Sequence, residues 1–143
     1  MAKQIFYDDI EEGSDIPTLV KTPSKRQLVK WAGGSRDFNE LHYDKDFAIS
    51  LGFPGVIVHG RLKAAFLGQL VTDWIGDKGK IKKLACNYRG NDFPGDEIIC
   101  KGKVTKKHVQ DGENIVECEI WTENATGAKT TPGTAVVTLP LKG

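Results

Sequence analysis

Between Gly60 and Ile75 apolar residues recur at helical spacing: Leu62, Ala65, Phe66, Leu70 and Trp74 follow one another along one stripe. Ala64, Leu67, Val71 and Ile75 widen the stripe until only Lys63, Gln69 and Asp73 oppose it. The pattern predicts a helix buried nearly all round. Upstream, Ser24 reads as an N-cap for a short helix carrying Leu28, Val29, Trp31 and Ala32 and ended by Gly33-Gly34. Asp44 caps a second short helix with Phe47, Ala48 and Leu51, closed by Gly52 and Pro54, and residues 18–22 read as a strand stopped by Pro23. After Lys80 the pattern turns to strand over 81–89, 97–106, 114–123 and 129–139, divided by a polar stretch at 91–96, by Asp111-Gly112 and by Thr126-Gly127. Ile115 to Trp121 partly alternates, as a strand with one buried face does. Pro132-Gly133 inside the last run predicts a bulge or an edge position. The sum is an α+β chain: an antiparallel meander of about four strands wrapped round one apolar helix. No repeat or linker interrupts it, so residues 1–143 read as one domain.

Composition narrows the function classes. A chain of 143 residues buries about 70% of its unfolded surface and needs no disulfide or metal to hold a core. Lys+Arg 20 against Asp+Glu 19 leaves a formal charge of +1, too weak a field to favour nucleic acid or an anionic membrane. The three cysteines, Cys86, Cys100 and Cys118, form no paired ligand spacing. The N-terminus has no apolar signal core, and no apolar run nears ~18 residues. A soluble, cytoplasmic protein is the expectation.

The segment between Gly33 and Gly60 is too rich in chemistry for an ordinary loop. Asp37, Asn39 and His42 lie within six positions, and Val56-Ile57-Val58-His59-Gly60 follows. A carboxylate and an imidazole five apart can converge on one small molecule, typically a water, and divide acid and base duties. Asn39 offers an amide to fix either partner. The Gly60 amide opens the buried helix, where unpaired N–H groups and the positive dipole end favour a developing oxyanion. On spacing alone a plainer reading stands beside this one, with Asp37 and His42 as helix caps and His59 as a satisfied core histidine.

The run Asp37-Phe38-Asn39-Glu40-Leu41-His42-Tyr43-Asp44, with Phe47-Ala48 and then Val56-Ile57-Val58-His59-Gly60, resembles the hydratase motif of the MaoC-like (R)-specific enoyl-CoA hydratases and 3-hydroxyacyl dehydratases. Phe6 with Ile10-Glu11-Glu12-Gly13, and Tyr88-Arg89 to Pro94-Gly95-Asp96, extend the likeness over most of the chain. The resemblance implies a hot-dog fold. It implies Asp37 and His42 as the catalytic pair, Asn39 as their supporting amide and Gly60 as the oxyanion-hole donor. The implied reaction is hydration of a trans-2-enoyl-CoA to the (R)-3-hydroxyacyl-CoA, or its reverse, without metal and without a cofactor beyond the coenzyme A or carrier-protein thioester. It further implies an edge-to-edge homodimer, or a heterodimer with a second hot-dog subunit. Glu40 departs from the family's usual Pro, and the link from Arg89 to Pro94 is about two residues short.

The acyl chain is expected along Leu62, Phe66 and Leu70. Arg61, Lys63, Lys82 and Lys83, with Lys78 and Lys80 near them, are candidate partners for coenzyme A phosphates or else a solvated surface. His108 reads as surface, and Trp31, Trp74 and Trp121 as core or interface. A metal cluster of Asp37, His42, Asp44 and His59 has no compact ligand spacing to support it. Two rival functions share the fold. One is an acyl-CoA thioesterase; the other is an acyl-CoA-binding subunit of a heterodimeric dehydratase.

Overall fold

A computed structural model describes residues 3–143. In chain order the elements are β1 (Asp15–Lys21), α1 (Lys25–Ser35), α2 (Lys45–Ser50), α3 (Gly60–Ile75), β2 (Lys80–Cys86), β3 (Ile98–Gln110), β4 (Glu113–Glu123) and β5 (Lys129–Thr138), with single 3-10 turns at Tyr7–Asp9 and Glu40–His42. The caps are those the sequence predicts. Ser24 Oγ accepts from the Gln27 N–H at the start of α1, and Asp44 Oδ1 accepts from the Phe47 N–H at the start of α2.

Helix α3 is the axis of the fold and touches all five strands, as a helix wrapped by a sheet must. Leu67, Leu70 and Val71 are at most 2% exposed, and Leu62, Phe66, Trp74 and Ile75 join them in a core that also takes residues from every strand or its flank. Burying each large apolar side chain contributes roughly 1.5–3 kcal/mol. The helix is not enclosed all round. Arg61, Ala65, Gln69, Thr72 and Asp73 stay exposed, because one sheet covers only part of its circumference. Lys63, predicted on the polar side, is instead buried.

The sheet is antiparallel in the order β1-β3-β4-β5-β2. Only β3, β4 and β5 form a meander. Strand β2 pairs with β5 at the far edge, so residues 87–97 are a crossover and not the hairpin turn their polar composition suggests. Tertiary backbone bonds anchor that crossover: Asn87 N–H to Pro132 O, Arg89 and Gly90 N–H to Thr130 O, Gly95 N–H to Pro23 O, and Val58 N–H to Asp92 O. The expected bulge or edge at Pro132-Gly133 is also corrected. β5 is an inner strand, and its register with β4 runs unbroken through Ile120↔Gly133 and Trp121↔Pro132. Pro132 is tolerated because the β2–β5 ladder ends one residue earlier, at Cys86↔Gly133. Helix α1 continues through Gly33-Gly34 to Ser35, held by Leu28 and Ala32 in the core, and stops where Arg36 turns left-handed at φ 62°. Among the described residues no helix is long and apolar enough to cross a membrane.

Candidate active site

The segment between α1 and α2 is wound by short local bonds. The Asp37 N–H donates to Ser35 Oγ at 3.3 Å, and the Asn39 N–H donates to Asp37 Oδ1 at 3.4 Å. Asn39 Oδ1 caps the 3-10 turn by accepting from the Leu41 N–H, while the Asn39 carbonyl accepts from the His42 N–H. Asn39 therefore ties Asp37 to His42 through its backbone, and its side-chain oxygen serves as a cap. Glu40 opens the turn, a first-turn position that suits an acid as well as a proline. The outcome is an Asp37 carboxylate, about one-third exposed, with Oδ2 3.9 Å from His42 Nε2.

The stretch before α3 closes over this pair. Ile57 N–H donates to Leu41 O, and Ile57 O accepts from His42 Nδ1 at 2.8 Å. A carbonyl only accepts, so Nδ1 carries the proton and Nε2, on the Asp37 side, presents the lone pair of the neutral ring. His59 stacks on His42 with ring centroids 3.8 Å apart and planes inclined by 21°. It is fully buried, and neither of its ring nitrogens has a hydrogen-bond partner among the described residues. Burial, and secondarily the His42 ring, hold the His59 pKa below its ordinary 6.5, with Asp37 pulling partly the other way.

Gly60 follows at the first position of α3, an end without a side-chain cap. The Tyr88 ring lies across it: a Cβ at Gly60 would sit 2.9 Å from Tyr88 Cδ1. Burial is also the main reason the Tyr88 phenol is held above its ordinary value, with neighbouring Cys86 adding to it. Cys100 and Cys118 lie in the core with thiols pushed up to about 12 by burial, which leaves them inert as nucleophiles.

Asp37, His42 and His59 place potential ligand atoms within 4.8 Å of one another. Two imidazoles and a carboxylate suit a transition metal by type. The near-parallel stacking does not favour one, because lone pairs in two stacked rings run side by side and do not meet on a single ion. Asp44, the fourth member of the cluster considered from sequence, is spent on capping α2.

The remaining predicted residues divide. Arg61, Lys82 and Lys83 are exposed, Lys82 with Nζ 2.5 Å from Glu113 Oε1. Lys63 is withdrawn from the phosphate-binding set: at 2% exposure its ammonium is bonded to Asp92 and to Gly90 O, out of reach of any phosphate in solvent. Leu62 and Phe66 are core residues, and Leu70 lines a cleft of about 150 Å³ with Pro17, Thr18, Leu19, Asp73 and Trp74. His108 is half-buried with Nδ1 3.5 Å from a Glu117 carboxylate oxygen. Stacked His59, the Ile57 carbonyl and the Tyr88 ring were not predicted as parts of the site. All three lie in the segments that carry the family resemblance, His59 beside Gly60 and Tyr88 beside Arg89.

Comparison with known proteins identifies the family of the chain. Residues 9–127 match the family described as MaoC like domain. The chain is 32% identical over 123 residues to an (R)-specific enoyl-CoA hydratase of Aeromonas caviae, a match covering 85% of this chain and 90% of that protein. It is 28% identical over 100 residues to the 3-oxo-4,17-pregnadiene-20-carboxyl-CoA hydratase beta subunit of Mycobacterium tuberculosis, covering 70% and 76%. The solved structure of the (R)-hydratase from A. caviae involved in PHA biosynthesis superposes with a TM-score of 0.82 at 29% identity, over 92% of this chain and 98% of that one. The match takes in the Asp37–His42 loop, the His59-Gly60 step and most of the sheet that holds them, and the chain belongs to the MaoC-like domain family with its hot-dog fold.

Proposed function

We propose that this protein hydrates trans-2-enoyl-CoA thioesters to (R)-3-hydroxyacyl-CoA, or catalyses the reverse dehydration. The observation that carries the reading is the orientation of His42. Its Nδ1–H is committed to Ile57 O, so Nε2 is left to accept a proton opposite the Asp37 carboxylate, 3.9 Å away. A water held by both groups fits that separation. His42 Nε2 takes a proton from the water as its oxygen bonds to the β-carbon, and the same proton then passes to the α-carbon. Asp37 orients the water and offsets the imidazolium that forms. The charge building on the thioester oxygen is met by the Gly60 amide at the N-terminus of α3, an interaction of the kind whose loss costs about 3 kcal/mol. General acid–base transfer adds about 10²–10⁴-fold. The reaction needs no metal and no cofactor beyond the thioester's own carrier.

Arg61, Lys82 and Lys83, with Lys78 and Lys80 near them, are the cations left to meet the carrier's phosphates, and the acyl chain follows α3. The cleft at Leu70 lies ten residues along α3 from Gly60, about 15 Å at 1.5 Å per residue. The protein is expected to act in the cytoplasm as one hot-dog domain paired with another. The relative named as a beta subunit supports a second reading, in which this chain works beside a different hot-dog subunit.

The test is to mix the pure protein with crotonyl-CoA and follow loss of the conjugated enoyl-thioester absorbance, with free thiol monitored in parallel. Absorbance should fall without thiol release. Asp37→Asn and His42→Ala should each lower turnover by orders of magnitude with an unchanged circular dichroism spectrum. Thiol release would favour the thioesterase instead. No absorbance loss across a series of acyl lengths would overturn the proposal for this chain acting alone.

A further inference from the structure

Helix α3 carries a lysine where its neighbours are apolar, and that lysine is one half of a buried ion pair. Lys63 Nζ donates to Asp92 Oδ2 at 3.0 Å and to Gly90 O at 2.8 Å, and both charged side chains are 2% exposed. Thr130 Oγ1, on β5, donates to the same Asp92 oxygen at 2.6 Å and lies 2.8 Å from Thr122 Oγ1 on β4. Taking two charges out of water is costly, and apolar residues of the same volume commonly stabilise a core as well or better. The location of the pair therefore calls for a reason other than stability.

The bonds the two residues make supply that reason. Asp92's backbone carbonyl accepts from the Val58 N–H at 2.8 Å, and the Lys63 N–H donates to His59 O at 3.2 Å. The two-residue step His59-Gly60 is thus tied on its N-terminal side to Asp92 and on its C-terminal side to Lys63, and the ion pair joins those two ties. On one side of the step, Ile57 O holds His42 Nδ1; on the other, the Tyr88 ring covers Gly60 from the same crossover that carries Gly90 and Asp92. A shift of the crossover against α3 would move the His59 ring stacked on His42 and the Gly60 amide together.

We propose that Lys63 and Asp92 are positioning residues for the reaction: a buried ionic clamp that fixes the start of α3 against the 87–97 crossover, and so sets the Gly60 amide and the His59 ring relative to His42 and Asp37. The inference rests on the hydratase reading given above. It assigns neither residue a contact with substrate.

The neutral double variant Lys63→Met/Asp92→Asn tests it, because removing both charges leaves no unpaired ion in the core. The Asp92 backbone bond to Val58 survives the substitution. The clamp predicts a folded protein with a melting temperature close to that of the parent. On crotonyl-CoA its kcat falls at least about tenfold while KM moves less than about twofold, since a small misplacement of reacting groups costs turnover before binding. The Gly60 amide and the His42 and His59 imidazole resonances in heteronuclear NMR spectra shift relative to the parent. A variant with parental kcat and unmoved resonances overturns the proposal. Should the double variant fail to fold, Asp92→Glu, which keeps the charge but displaces the carboxylate by one methylene, is read by the same criteria. The resonances need no turnover: a parent protein inactive on every enoyl thioester would defeat the hydratase reading, while the spectra would still decide the clamp.

Discussion

Gly60 shows how one missing side chain serves the site. Its Cα lies under the Tyr88 ring so closely that an alanine Cβ would be 2.9 Å from Cδ1 and 3.0 Å from Cγ, while Tyr88 itself is 53% exposed and free to move outward. Gly60→Ala should therefore displace the ring and lower kcat/KM at least about tenfold, within what the loss of one oxyanion donor costs. Gly60→Ala/Tyr88→Ala, which keeps the amide and removes the clash, should recover most of it. A double variant as poor as Gly60→Ala would show that the clash is not the cause. His59 makes a prediction of a different sort. Its folded-state pKa lies below the ordinary 6.5, so on acidification the unfolded chain binds the proton first. The stability that neutral His59 allows is complete above about pH 6.5 and falls as the pH drops below it. The midpoint of urea unfolding should decline between pH 7.5 and 5.5, and His59→Gln should flatten that decline. An identical slope in the variant would mean that His59 titrates normally. The sequence offered Asp37 and His42 as candidates because they lie five positions apart, and Gly60 because it opens the apolar pattern of α3. It hid the stacked ring of His59 and the Ile57 carbonyl, whose partners lie 17 and 15 residues away and are joined only by the fold.

At the level of elements, what could be read depended on how far apart the deciding contacts are. The limits of α3 and the caps at Ser24 and Asp44 follow from residues within one turn of each other, and all were legible. The end of α1 was not, because glycine's helix penalty of about 1 kcal/mol at Gly33 and Gly34 is outweighed by the burial of Leu28 and Ala32, which no local pattern reports. Lys63 was assigned to the polar side since its counter-ion, Asp92, is 29 residues on. The place of β2 was hidden for the same reason: its partner β5 is the last strand, not the next. Gly133 lies in that long-range pairing, opposite Cys86. A Cβ there would lie 2.3 Å from the Ala85 carbonyl oxygen, and 2.9 Å from Cys86 Cβ. Since the first of these is backbone, the strands must separate to admit a methyl group. Gly133→Ala should cost about 1–3 kcal/mol, as overpacking does, and lower the melting temperature by roughly 3–12 °C in a scanning calorimeter. Gly68, where an added Cβ would meet nothing within 4 Å, should accept alanine without that loss.

For the whole molecule the two sheet edges decide how the chain meets another copy. β1 carries Pro17, which lacks an N–H, and its register against β3 shifts between Ile16 and Leu19. β2 has no proline, and Ile81 and Ala85 are exposed on it, so β2 is the better edge for extending the sheet. The same edge is crowded with Lys80, Lys82 and Lys83, of which Lys82 is paired with Glu113. Two such edges laid side by side bring like charges together within a Debye length, which is about 10 Å at 0.1 M salt. A homodimer built on β2 should therefore tighten as salt rises, the reverse of an interface held by opposite charges. Sedimentation equilibrium on the 15.7 kDa chain should show twice that mass, with a dissociation constant that falls as the salt concentration is raised. Replacing Lys80 and Lys83 by Gln should remove most of the salt dependence and leave a tighter dimer. A chain that stays monomeric at every salt concentration would rule out the homodimer, and would direct attention to a partner whose edge carries acids opposite these lysines.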